Sequence, residues 1–504
     1  MRKSKVIFIK NALMLTLSGL AIRFIGMLFR IWLAGAVGAE GMGLYSQVFS
    51  FYMLASAFAS TGINTAVTRL VSEELSLGRG RGAKTVLLKC SAVSLLVALV
   101  SSGVIFLSAE AISVHVIGDP RAAESLRTLT LSLPFMGVSS CIKGYFIARK
   151  KTAPASSSQI FEQLMRILII TTTLSFSLKD GLAAACRGII FGDATAELCS
   201  CGFLFISFLI DNKLHLVCKY GEKPPYKVLS RLSHIALPIT AGRYLNSLLR
   251  TAENVLVPRQ LEKFGMTGQE ALSLFGAIKG MALPLIFFPA TFLNALSTLL
   301  IPEMSEAAAQ SKAYKVRYTA EKCIHVTLIA SLPFAVIFFF AGDTIGTLVY
   351  KDPAAGQTVR LLAPIVPLMY LDSVCDGLLK GLDEQFSLFR NSLIDSLCRI
   401  GLIILILPKF GFMGFIGIMF ASNLFTCLLN LLRLAKISKA RILWGKWFLL
   451  PLIISALLGV SLTLFLSVLS LNPLLHGLIF TLSLLISYLF LVFSLGCIRL
   501  EDFK

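Results

Sequence analysis

Fourteen apolar stretches, each long enough to cross a bilayer as a helix, leave this chain few folds to choose from. They run near residues 11–36, 44–71, 86–108, 125–148, 157–178, 182–210, 234–258, 271–301, 322–341, 358–379, 387–407, 412–432, 447–469 and 474–496. A hydrocarbon core of roughly 30 Å takes about 20 helical residues to cross, and a helix satisfies its own backbone polar groups on the way. A membrane barrel would show short segments of alternating polarity instead. Hydrophobic residues make up 56% of the chain and charged ones 15%, which lies outside the range of soluble domains. The expected fold class is an all-α polytopic membrane protein of about 14 transmembrane helices.

The chain also repeats itself. Asp119, Arg127, Pro134, Gly144, Glu162 and Arg166 match Asp352, Arg360, Pro367, Gly377, Asp395 and Arg399, each pair 233 positions apart. Upstream the spacing shortens: Asn64 and Glu73 match Asn294 and Glu303, while Arg23 and Arg30 match Arg243 and Arg250. The shrinking offset places an insertion near residues 259–270. A copy with an even number of crossings enters the membrane from the same side as its partner, so the copies are related by an axis along the membrane normal. The expected organisation is a six-helix lobe over 1–210, a basic linker over 211–233, a second six-helix lobe over 234–432, and a loop, two further helices and a short tail over 433–504. The linker carries Lys213, Lys219, Lys223, Lys227 and Arg231 around Pro224-Pro225. The last two helices, from Trp447 to about Ser494, hold no charged side chain. They are open to two readings, facing lipid all round or lining a groove for a lipid tail.

A net charge of +20 raises the question of nucleic acid, but the basic residues sit in short loops on one side. Roughly 27 Lys and Arg fall in the termini and even-numbered loops against roughly 6 in the odd ones, so the positive-inside bias places both termini in the cytoplasm. No nucleic-acid role follows. The N-terminal Arg2-Lys3 is followed by an apolar run too long for a signal peptide, and reads as a retained first helix. The eleven cysteines lie mostly inside apolar helices without a Cys-x-x-Cys pair, the pattern of packing residues. The five histidines are scattered, so no metal site is expected. Gly78 to Thr85 reads GRGRGAKT, but Ala83 occupies the glycine position of a phosphate loop and no strand precedes it, so it is a basic loop.

Charges inside the apolar helices carry the functional signal. Arg23 and Arg30 are seven apart and stack on one helix face about 10 Å from each other, as do Arg243 and Arg250. An arginine at mid-membrane costs about 2.5 to 3.5 kcal/mol on insertion scales, so a water-filled cavity is its expected environment. The planar guanidinium donates two parallel hydrogen bonds, the geometry that phosphate accepts. Glu162 with Arg166 and Asp395 with Arg399 are spaced i, i+4 and are expected to neutralise each other. Asp193 and Glu197 share a face of the sixth helix and are candidates for proton or sodium coupling, with Glu253, Lys279, Asp372 and Asp376 as further intramembrane charges. Pro284 and Pro289 each remove a backbone donor, which bends the eighth helix and suits either gating or a fixed irregularity.

The eighth helix reads SLFGAIKGMALPLIFFPATFLNALSTLLIPEMSEA and the second ends NTAVTRLVSEE. These runs, with the fourteen crossings, resemble the stage V sporulation protein B group of the multidrug, oligosaccharidyl-lipid and polysaccharide exporter superfamily, over nearly the whole chain. The resemblance implies two six-helix lobes, alternating access, and a polyprenyl-pyrophosphate-linked saccharide as substrate, such as the peptidoglycan precursor lipid II. By analogy with the related lipid II flippases, Arg23, Arg30, Arg243 and Arg250 would hold the pyrophosphate and the last two helices would guide the lipid tail. It implies a plasma-membrane flippase, working as a monomer among membrane lipids without a cofactor, and driven by membrane potential, a proton or sodium gradient, or product removal. A cation-coupled multidrug exporter is the alternative, since Asp193, Glu197, Glu253, Asp372 and Asp376 could receive a cationic drug. An enzyme of the glycosyltransferase kind would need a larger extramembrane surface than loops of about 23 residues provide.

Overall fold

The computed structural model describes residues 2–215, 227–469 and 472–497; Lys219, Lys223, Pro224 and Pro225 of the basic linker lie outside them. Eleven helical stretches are long and apolar enough to span a membrane. Two of these each hold two helices, broken where Gly38 (φ 70°) and Gly411 (φ 53°) leave helical geometry. The segment Val228–Lys263 is one further long helix, whose arginines lower its hydropathy. The described residues therefore form fourteen helices: α1 (2–37), α2 (39–76), α3 (Gly80–Ile117), α4 (Ala122–Ala148), α5 (Ala153–Ser177), α6 (Leu182–His215), α7 (Val228–Lys263), α8 (268–309), α9 (Ala313–Tyr350), α10 (Pro353–Gly381), α11 (385–410), α12 (412–438), α13 (Gly445–Val468) and α14 (Pro473–Ser494). The all-α polytopic reading of the sequence holds.

The duplication is written into the backbone. Five turns of the first copy each carry one residue at positive φ: Gly38, Gly78, Gly118, Lys150 and Gly181. The corresponding turns of the second copy carry Gly265, Ser311, Lys351, Asp383 and Gly411. Three of these pairs, 78 with 311, 118 with 351 and 150 with 383, keep the 233-residue register. A left-handed conformation is costly for any residue but glycine, so Ser311, Lys351 and Asp383 keep a turn geometry that their side chains do not favour. Ion pairs repeat as well. Arg127 meets Glu110 at 3.2 Å and Arg360 meets Asp343 at 2.9 Å, again in the 233-residue register.

Packing divides the chain into two compact units, Met1–Phe29 with Leu44–Val255, and Arg30–Gly43 with Leu256–Lys504. The core of the first gathers Ile63, Leu70, Val86, Tyr145, Phe208 and Leu232 from α2, α3, α4, α6 and α7. Here α2 and α7 approach so closely that only glycine fits at position 62: a Cβ there would lie 2.2 Å from Oγ1 of Thr240 and 2.3 Å from the carbonyl oxygen of Ala236. The Gly62→Ala variant is expected to lose about 1–3 kcal/mol through overpacking, read as a lower melting temperature of the detergent-solubilised protein. An unchanged melting temperature would mean that the crossing gives way freely.

The core of the second unit joins α8 to α12 through Met304, Ile324, Leu371, Leu378 and Leu431, with Trp447 of α13 stacked on His325 at 4.8 Å between ring centroids. The two final helices pack along α9. Gly459 meets Val336 and Phe340, and the Tyr488 hydroxyl donates to the carbonyl of Ile329 at 2.8 Å. Their outward faces, with Leu457, Leu464, Phe465, Ile486 and Phe490, are exposed and apolar, the surface a lipid-facing helix presents.

Candidate functional site

On α2, Ser60, Asn64, Thr68 and Ser72 follow one another at intervals of four, with Thr65 and Arg69 beside them, so all six lie on one stripe of the helix. A π-helical turn at Ala57–Thr61 begins the stripe and displaces the regular backbone pairing. The carbonyl of Ser60 there accepts from the Ser140 hydroxyl of α4 at 2.9 Å. Gly144, one turn on, lies against Asn64 and Thr68, where a Cβ would come within 3.1 Å of each. With Arg243 of α7 these residues line a cavity of about 530 Å³, wholly within the first unit.

The lining is polar and basic. Arg69 reaches Glu73 at 3.2 Å, and Glu73 is shared with Arg231 at 2.9 Å, so one carboxylate holds two guanidinium groups at one end of the stripe. Arg243 forms no ion pair among the described residues. Its guanidinium is exposed to the cavity together with that of Arg69, which Glu73 holds.

The other three arginines singled out by the repeat sit elsewhere. Arg23 and Arg250 are exposed residues of the first unit, and Arg30 belongs to the second. Arg30 donates from Nε to the carbonyl of Gly280 at 3.1 Å and from Nη2 to that of Lys279 at 3.2 Å. The sequence of α8 explains why these carbonyls are open. Pro284 has no N–H to give Gly280, and the amide of Leu283 bonds to Ile278 within the π-helical turn Gly276–Ala282, bypassing Lys279. Two of the five guanidinium N–H groups of Arg30 thus complete a backbone that the proline opened. Pro289 follows in the regular helix of Leu283–Ala309.

The Arg30→Ala variant is expected to lose about 1–3 kcal/mol by leaving buried carbonyls bare, and Pro284→Ala in the same chain to restore part of it by supplying an amide to Gly280. A double-mutant cycle of melting temperatures measures this coupling. Strictly additive losses would refute it.

The intramembrane acids of the first unit gather on Arg166 of α5. Its Nη2 lies 2.8 Å from Oε1 of Glu162, its Nε 2.8 Å from Oδ1 of Asp193, and its Nη1 donates to Gln163 at 2.9 Å. The Tyr45 hydroxyl donates to Asp193 at 3.3 Å, and Lys143 stands 3.6 Å from Glu162. The i, i+4 pair forms as its spacing predicts, and so does its repeat mate, Asp395 with Arg399. Asp193 has a basic partner on another helix that spacing along α6 does not reveal, while Arg187 pairs with Glu124. Glu197 is 4% exposed, and its Oε1 has no hydrogen-bond partner among the described residues. Glu253 is buried and engaged. In the second unit, Asn430 donates to Asp372 at 2.8 Å and Lys380 pairs with Asp376. No group of three or more acidic, histidine or cysteine side chains suited to a metal occurs among the described residues.

The α2 stripe escaped the reading of charges because most of its members are neutral. Its signal was a hydroxyl or amide at every fourth position of a span that ought to be apolar.

The family model for polysaccharide biosynthesis proteins matches residues 8–264, half of the chain, and that for MatE proteins matches residues 264–405. The chain belongs to the polysaccharide biosynthesis protein family. It is 26% identical to stage V sporulation protein B of Bacillus subtilis (strain 168), over 82% of this chain and 80% of that one. It is 21% identical to the lipid II flippase MurJ of the same organism, over 75% and 73%. Among solved structures it is similar to a lipid II flippase MurJ in an inward closed conformation, with a TM-score of 0.71 at 14% identity, covering 96% of this chain and 99% of that one. An inward-facing multidrug resistance MATE transporter of the MOP superfamily gives a TM-score of 0.65 at 13% identity, over 83% and 96%. The fold is that of the MOP superfamily, and the chain is a multi-pass membrane protein of that group.

Proposed function

We propose that this protein is a flippase that moves a polyprenyl-pyrophosphate-linked saccharide across the plasma membrane by alternating access, with both termini in the cytoplasm. The observation that carries the reading is the guanidinium of Arg243, without an ion pair among the described residues, in a polar cavity inside an apolar helical unit. A fixed cation in a low-dielectric surround attracts an anionic headgroup and repels a cationic drug. Two of the five acids that would favour a drug are neutralised by ion pairs: Asp193 by Arg166 and Asp376 by Lys380. Similarity to a lipid II flippase and to a stage V sporulation protein supports the same substrate class. Arg23 and Arg250, exposed on the same unit, add positive charge to the path. The chain performs no bond-making step in this reading and needs no cofactor. Asp193 and Glu197 are the groups proposed to couple transport to a proton or sodium gradient.

The deciding experiment is reconstitution in liposomes with a panel of lipid-linked saccharides and cationic drugs, with and without imposed ion gradients. Transport of the lipid-linked sugars alone supports the proposal. Export of drugs without movement of any lipid-linked sugar would replace it with the multidrug reading.

A further inference from the structure

The residues that line the cavity of the first unit are only partly repeated in the second copy, although the frame around them is. Asn64 and Ser140 correspond to Asn294 and Ser373, and Ser373 donates its hydroxyl proton to Asn294. In the register set by Asn64 with Asn294 and Glu73 with Glu303, however, Ser60, Thr65, Arg69 and Ser72 stand where the second copy has Ala290, Ala295, Leu299 and Pro302. One copy carries four hydrogen-bonding side chains that the other lacks. Arg69 also shares Glu73 with Arg231, whereas a ligand in the cavity would give Ser60, Thr65 and Ser72 a common use.

The direction of the hydrogen bonds indicates what such a ligand offers. Ser60 donates its proton to the carbonyl of Ser56 at 2.7 Å, Thr68 to that of Asn64 at 2.9 Å, and Ser140 to that of Ser60 at 2.9 Å. A hydroxyl whose only proton is committed to backbone presents lone pairs to its remaining neighbours. These three groups are therefore acceptors toward the cavity and are unsuited to a phosphate, which also only accepts. Asn64 adds a side-chain amide beside Thr68, which brings both N–H donors and an acceptor oxygen to the wall. The guanidinium groups of Arg69 and Arg243 only donate. The cavity thus pairs a cationic end with a wall that takes protons from its guest.

We infer that this cavity is a sugar subsite, in which hydroxyl or acetamido N–H groups of the saccharide donate to the α2 hydroxyls while Arg243 holds the adjoining phosphate. This deepens the proposed flippase function and rests on it. Asn64 and Thr65 are then specificity-determining residues, whereas Arg243 serves any anionic headgroup. Selectivity for the saccharide resides in one copy of the duplicated unit, which leaves the second free to differ.

The test compares binding of a polyprenyl pyrophosphate with binding of the same lipid bearing an N-acetylated sugar, by the full chain in nanodiscs. The near-isosteric variant Asn64→Leu/Thr65→Val removes a donor and a hydroxyl and touches neither arginine. It is expected to weaken binding of the sugar-bearing lipid by about tenfold or more, the worth of one or two lost hydrogen bonds, and to leave the bare pyrophosphate lipid unchanged. Equal weakening of both lipids, or of neither, overturns the subsite, the second outcome meaning that the cavity holds only water. A melting temperature within the wild-type range shows that the variant is folded, and Thr65→Val alone, at an exposed position, serves as the milder variant if the pair is not. Binding of the bare pyrophosphate lipid by Arg243→Ala separates the two levels. If that variant binds it as well as the wild type does, the anion reading fails regardless of the sugar result.

Discussion

Arg243→Ala is expected to reduce flipping of a lipid-linked saccharide by about ten- to a hundredfold or more. A charge-assisted, bidentate hydrogen bond to phosphate contributes roughly 1.5–3 kcal/mol, and each 1.4 kcal/mol is a factor of ten. The loss should appear in transport and leave folding intact, because Arg243 has no ion-pair partner to abandon among the described residues. Lysine at the same position keeps the charge and loses the planar fork, so Arg243→Lys should fall between alanine and wild type. Arg30→Ala offers the contrast. Its guanidinium completes the backbone of α8, so its loss should be felt first in the melting temperature. Undiminished flipping by Arg243→Ala would remove the basis for placing the headgroup in the first unit.

The sequence revealed most of the architecture because the membrane and the duplication both leave periodic marks. Fourteen apolar runs became fourteen helices, and the charges matched at 233 positions became repeated ion pairs such as Glu110 with Arg127 and Asp343 with Arg360. Contacts within one helix, Glu162 with Arg166, were legible from i, i+4 spacing. Contacts between helices were not. Spacing along α6 says which side chains share its face but not that Arg166 of α5 stands opposite Asp193. Arg30 was legible as an intramembrane cation, yet its role depends on two events in another helix, the missing amide of Pro284 and the π-helical turn before it. The candidate cavity was hidden for a third reason. Serine and threonine are common in membrane helices, where their protons return to the preceding turn of backbone, so a hydroxyl stripe gains meaning only when a cavity opens beside it.

The repeated and the divergent parts of the chain belong to different layers of the design. Positive-φ turns survive even where the second copy has Ser311 and Lys351 in place of glycines, and paired charges survive at matched positions. Both fix how helices enter and leave the membrane, a requirement common to the two copies. What differs is the lining of α2 against its counterpart in α8, where Ser60, Thr65, Arg69 and Ser72 correspond to Ala290, Ala295, Leu299 and Pro302 in the repeat register. A duplicated carrier that keeps its frame and alters one lining acquires selectivity without disturbing its fold.

Arg166→Met should produce the largest loss of stability of any single change in the first unit. It strands Asp193 and leaves Glu162 only the more distant Lys143 at 3.6 Å, each carboxylate with a side chain only 14% exposed. Removing one partner of a buried ion pair costs about 3–5 kcal/mol, chiefly because the charge left behind has neither water nor counter-ion. That is a large share of the roughly 5–15 kcal/mol that holds a typical domain together. Lys143 stands too far from Asp193's side of the cluster to replace the guanidinium, its nearest carboxylate being Glu162 at 3.6 Å. The variant is therefore expected to give little monodisperse protein in detergent, and the triple change Arg166→Met/Glu162→Gln/Asp193→Asn to recover much of it, because the stranded charges are gone. The equivalent change in the second unit, Arg399→Met, should be milder, because Asp395 still accepts from Ser422 at 2.6 Å. If Arg166→Met melts with the wild type while the triple variant is no better, the cluster is solvated and does not hold the unit together.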